Sequence, residues 1–241
     1  MRKAYTLFSL AMIISLSFAE AQTPKPAAEL WQQENQFRHA QQLSDSFVYC
    51  YLEIPVGPLQ NQILLTGMTL WLEPGGKKKA RKGLLYPLGL AEQQIPRDPF
   101  LFVRFLDDIS FPSRQRLASP PEMLVIGYYG GAEDDVLTAS PQTKGALAIF
   151  TNIDEENVLH YCARIPRSAL DGKTTWRWGF ETGKLPRPDM RATDAVGLST
   201  GINDTPETRQ ERAQARYLDT YRLYGDESRW RSGKNKISEG E

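Results

Sequence analysis

Reactive side chains are scarce in this chain. Its 241 residues hold two cysteines and two histidines, so a zinc site or a nucleophilic triad would have to be built around Cys50, Cys162, His39 or His160. The patterns G-x-S-x-G, H-E-x-x-H and C-x-x-C are all missing. Charge of one sign is lacking as well: Lys+Arg and Asp+Glu stand at 29 each. A dedicated nucleic-acid binder needs a net basic face for phosphate, so that class is disfavoured. Beyond the first twenty or so residues no apolar run approaches the roughly twenty that cross a bilayer as a helix, and no membrane span is expected.

The beginning of the chain is different. Arg2 and Lys3 precede an apolar stretch from Leu7 to Phe18 broken only by serines, followed by Ala19, Glu20, Ala21 and Gln22. A charged start, a short apolar core and an A-x-A site predict a cleavable signal peptide over 1–21 and a periplasmic or secreted product. The first cysteine is Cys50, so no lipidation cysteine follows the apolar core.

Sixteen prolines and 10% aromatics suit strands and loops better than a helical bundle. A polar leader over 22–44, whose segment from Glu29 to Leu43 reads as a short helix or as a stretch packing by Trp31 and Phe37, precedes runs of β-formers at 47–54, 62–73, 100–106, 123–129, 146–151, 158–165 and 174–180. Turn signals such as Ser119-Pro120-Pro121, Gly130-Gly131 and Asp171-Gly172 separate them. The expectation is an all-β fold, an antiparallel β-sandwich over 45–202. Thr205, Pro206 and Glu207 can start a C-terminal helix over 203–225, with Ala213, Tyr217, Tyr221 and Tyr224 at helical spacing and Gly225 as its stop. Residues 226–241 are charged, with Trp230 and Ile237 the large apolar exceptions, and read as a disordered tail.

Two stretches carry a resemblance. One is Gly67-Met68-Thr69-Leu70-Trp71-Leu72-Glu73-Pro74, running into a lysine-rich turn and the segment from Gly83 to Gly89; the other is His160-Tyr161-Cys162-Ala163-Arg164-Ile165-Pro166. They resemble two strands of the DOMON and family-nine carbohydrate-binding-module sandwiches, and look similar to secreted bacterial proteins of that general shape. Cys162 stands where that pattern has an acid, so any ligand or metal role of the acid does not carry over. The resemblance implies a non-enzymatic sandwich that binds a sugar, haem or another small ligand.

Trp176 and Trp178 share one side of a strand with Phe180, either as a sugar-stacking platform or as the inner face of a sandwich. Together with Trp71 they are the candidate ligand-binding residues. The turn holding Lys77, Lys78, Lys79, Arg81 and Lys82 could meet an anionic glycan or lipid headgroup, but such a run is more often a solvated hairpin tip. Glu133, Asp134 and Asp135, like Asp107 and Asp108, could supply oxygens to calcium, but they lack the spacing of a calcium loop and read as solvated turns. An oxidising compartment would allow a Cys50–Cys162 bridge, but alternation puts Cys50 with Val48, Leu52 and Ile54 and puts Cys162 with His160 and Arg164. No cofactor is indicated and nothing selects a catalytic pair of carboxylates. A secreted binding domain for a glycan or small ligand is therefore expected, with a cell-envelope structural or protein-interaction module as the alternative. Mass spectrometry of the exported product should find a mature chain starting at Gln22; an intact Met1 start on the exported protein would contradict the signal reading.

Overall fold

The structure, a computed structural model, describes residues 25–75, 82–128, 136–141, 147–186, 229–232 and 235–236. The signal segment, the turn at 76–81, the acidic run at 133–135 and the expected helix over 203–225 lie outside the described residues.

Among the described residues, twelve strands form two antiparallel sheets. In the first, β1 (Gln32–Gln33), β2 (Arg38–Leu43), β3 (Phe47–Ile54), β9 (Leu159–Pro166) and β8 (Ala148–Ile153) are neighbours in that order. In the second the order is β11 (Arg229–Arg231), β10 (Thr175–Thr182), β4 (Met68–Pro74), β5 (Lys82–Leu85), β6 (Met123–Ile126) and β7 (Val136–Ala139), and β12 (Asn235–Lys236) also pairs with β10. The all-β sandwich is thus the architecture of the chain.

Alternation builds the core. Val48, Cys50, Leu52 and Ile54 of β3 and Leu159, Tyr161, Ala163 and Ile165 of β9 point inward from the first sheet. Met68, Leu70 and Leu72 of β4 and Trp176, Trp178 and Phe180 of β10 meet them from the second. The rings interlock edge to face, with Phe37 and Phe180 centroids 5.1 Å apart.

Three helices occur where strands or loops were expected. The run at 62–73 is divided: α1 (Pro58–Thr66) ends at Gly67, and only then does β4 begin. The run at 100–106 lies in α2 (Pro99–Asp107), because the Asp98 carboxylate accepts the Leu101 N–H at 2.8 Å and Pro99 pre-sets the first helical turn. A third helix, α3 (Phe111–Ala118), packs on β8 and on α1. Buried Arg114 ties α3 to α1: it donates to Gln60 Oε1 (2.9 Å) and Asn61 Oδ1 (2.6 Å), while Gln60 Nε2 donates to the carbonyls of Ile54 and Asn157.

Both ends of the described chain depart from the sequence expectation. The leader, apart from a 3-10 turn at Ala28–Leu30, supplies β1 and β2 to the first sheet, and it packs through Trp31 and Phe37, the second of the two alternatives for this segment. Within the expected disordered tail, 229–231 and 235–236 are strands on the edge of β10. Trp230 is the reason: its ring sits 5.5 Å from Phe37 and 4.9 Å from Trp178, an apolar contact that the charged composition around it conceals.

Trp178 is fully buried at the meeting point of both sheets. Truncating it to alanine is expected to cost about 3–5 kcal/mol of unfolding free energy, measured by urea titration. A loss below about 1 kcal/mol would contradict its place at the centre of the core.

A candidate binding cleft on the outer face of the first sheet

The strand registers set the residues of the outer face in rows. One row reads Arg38, Glu53, His160 and Asn152, and the next reads Ala40, Tyr51, Cys162 and Phe150. The outer face of a sandwich sheet is ordinarily polar, yet Ala40, Tyr51 and Cys162 form a second apolar cluster here, with Trp31, Tyr49 and Phe150 packed against it. Tyr49 and Tyr51 lie nearly parallel, 6.2 Å between centroids, and Trp31 leans on Tyr51 at 6.3 Å.

Above this surface is a cleft of about 490 Å³. Trp31, Tyr51 and Phe150 line its apolar part, Lys25 and Pro26 contribute from the N-terminal side, and Glu53, Asp154 and His160 stand at its polar end. The volume suits a small organic ligand or one to a few rings of a chain.

The polar end is a connected network. Arg38 Nε donates to Glu53 Oε2. His160 presents Nδ1 to Glu53 Oε1 at 3.3 Å and Nε2 to Asp154 Oδ2 at 2.7 Å, so a neutral ring serves one carboxylate and an imidazolium serves both. Asp154 belongs to the β8–β9 turn, where its Oδ1 accepts the N–H groups of Glu156 (3.0 Å) and Val158 (2.8 Å). The His160 hydrogen bond, aided by the Val158 N–H, holds the Asp154 carboxyl below its usual range. Its oxygens are therefore acceptors at neutral pH, fixed in place by the turn. On the other side, Arg38 lies over the Trp31 ring at 4.7 Å.

Cys162 lines the cleft but is unsuited to nucleophilic work. Burial pushes its thiol up to about 12, a shift opposed by the hydrogen bond from Tyr51, whereas an active thiolate needs a lowered value. Its partner residue in the pairing is Tyr51, while Cys50 lies behind the sheet in the core. Both cysteines are free, and their side chains leave opposite faces of the sheet, as strand alternation indicates.

The three tryptophans proposed from sequence are not brought together, and none lines the cleft. Trp176 and Trp178 are 4% and 0% exposed between the sheets, so neither ring offers a face for stacking a sugar; the inner-face alternative describes them. Trp71 is half-buried on the outer face of the second sheet. Its ring lies across Gly83, where a Cβ would come within 2.7 Å of it, and its Nε1–H donates to Glu181 Oε2 at 3.2 Å. Lys82, the described lysine of the basic turn, donates to Ala169 O at 2.8 Å and to Asp171 Oδ1 at 2.6 Å. Asp108, at the end of α2, pairs with Arg104 at 3.6 Å.

The cleft residues Trp31, Tyr51, Phe150, Glu53 and Asp154 were missed as a group. A usable signal exists in β3, where Phe47, Tyr49 and Tyr51 alternate with the core residues Val48, Cys50 and Leu52. Large side chains on both faces of one strand mean that its outer face is covered or binds something. Compared with protein-family models, curated proteins and solved structures, the chain matches none.

The folded-state value of the Cys162 thiol lies above its ordinary 9.0, so the neutral form is favoured and the stability this contributes is present below pH 9 and lost as pH rises through about 12. Native protein should resist iodoacetamide at pH 8 and lose that resistance at Cys162 before Cys50 as pH rises, read by peptide mass spectrometry. Fast labelling of Cys162 at pH 8 would refute this.

Proposed function

We propose that this chain is an exported, non-enzymatic binding module, resembling the DOMON and family-nine carbohydrate-binding-module group, that holds a carbohydrate or related polyhydroxyl ligand on the outer face of its first sheet. The observation that carries this reading is the cleft itself: Trp31, Tyr51 and Phe150 form an apolar surface beside fixed acceptors on Glu53 and Asp154. A sugar ring offers CH groups to aromatic faces and hydroxyl donors to carboxylates, and the cleft provides both in neighbouring rows. Glu53 and Asp154 are accompanied by Arg38 and Lys25, so the cleft carries no excess of one charge and suits a neutral glycan. The buried, protonated Cys162 supports binding over thiol catalysis.

A second reading, an envelope interaction module, is favoured by β7. Among the described residues β7 is an edge strand; it exposes Val136 and Leu137 at 52% and 47%, and an edge of that kind can add a partner's strand. Among the described residues no helix is long and apolar enough to cross a membrane.

Titration calorimetry against a panel of neutral oligosaccharides should find a ligand whose affinity falls at least tenfold, about 1.4 kcal/mol, in Trp31→Ala and in Glu53→Gln. Both substitutions sit on the outer face, so the circular dichroism of the fold should be unchanged. No binding across neutral and acidic panels by the folded protein would sink the proposal.

A further inference from the structure

The edge of β10 is occupied by a segment remote in sequence. The second sheet is described as far as residue 186, and its last strands begin only at Arg229. Four features of this seat are specific to what fills it. Trp230 enters an aromatic socket made by Phe37, His39, Trp178 and Phe180, with centroid distances of 4.4 Å to His39 and 6.0 Å to Phe180. Arg231 Nη1 donates to Glu73 Oε1, and Glu73 is 1% exposed, so the seat holds a buried carboxylate facing a cation from the strand. Gly179 leaves room for the approach: a Cβ there would lie 2.3 Å from the Trp230 carbonyl oxygen and 3.0 Å from Arg231 Cα. Ser232 then brackets Trp178, donating its N–H to the Trp178 carbonyl at 2.8 Å and accepting the Trp178 N–H on Oγ at 3.0 Å.

An edge strand needs none of these to form. A plain edge asks only for backbone pairing, whereas this one carries an aromatic socket, a buried counter-charge and a glycine gap in register with consecutive residues. We infer that the β10 edge is a peptide-binding site that reads an extended tryptophan-arginine-serine segment, with the chain's own C-terminal segment as its resident occupant and the same segment of a second copy as the ligand it would take in trans. Because the resident segment belongs to the same chain, its binding does not depend on chain concentration, so the cis arrangement dominates in the intact chain at low concentration. The inference is independent of the outer-face cleft.

The test starts from the folded full-length protein carrying a protease recognition sequence inserted after Gly225. After cleavage, the fragment spanning 226–241 should co-elute with the body in gel filtration. It should also exchange for a fluorescein-labelled synthetic peptide of the same sequence, saturably and at one per chain by anisotropy. A labelled peptide with Trp230→Ala should bind at least tenfold more weakly, as should one with Arg231→Glu, and a Gly179→Ala body should take up the unaltered peptide at least tenfold more weakly. Three results would overturn the site: a folded cut body that takes up no peptide, a body that unfolds on cleavage because the segment is an inseparable part of the fold, or equal binding of the Trp230→Ala peptide.

Discussion

Each strand of this protein shows alternate residues to opposite sides, and the pairing of β3 with both β2 and β9 locks that alternation for the whole first sheet. A slip of β3 by one residue would carry Val48, Leu52 and Ile54 to solvent and bring Tyr51 and Glu53 into the core. The same constraint keeps the two thiols on separate faces, although Cys50 and Cys162 lie on adjacent strands. It also puts Tyr49, Tyr51 and Phe150 on the face away from the core, where their combined surface makes a cleft instead of an interior.

The second sheet answers the first with aromatic bulk. Trp176, Trp178 and Phe180 fill one side of β10, and the sheet reaches its final width only through β11 and β12. Arg231 and Glu73 add a charge pair on the outer side of the same junction, so this edge is held on both faces. Opposite it, β7 has no described strand beyond it, and its exposed Val136 and Leu137 make the two edges chemically unlike.

The sandwich class could be read from period-two patterning because β3, β8, β9 and β10 each carry a clear run bounded by turn residues. Helices α1 and α2 could not be read the same way: short apolar runs such as 62–66 and 100–106 have no period that separates strand from helix, and the Asp98-Pro99 start was the overlooked arbiter. The cleft was only partly legible. Aromatics on both faces of β3 were visible in the sequence, but the contributions of Trp31 from the leader and of Asp154 from the β8–β9 turn depend on tertiary placement. Trp176 and Trp178 show the converse, since three aromatics on one side of a strand look alike whether they face a ligand or another sheet. The seat for Trp230 was invisible to composition, because one apolar residue among charges carries no periodic signal.

Phe37, near the beginning of the described chain, and Trp230, near its end, touch across the sandwich. The order of synthesis then matters. A nascent chain has made almost all of its core residues before the residue that fills the last socket exists, and until then Phe37, Trp178 and Phe180 have an open side. The last wall of this socket is therefore supplied from far along the chain, and a polypeptide interrupted before Trp230 would leave the Phe37, Trp178 and Phe180 rings uncovered on that side.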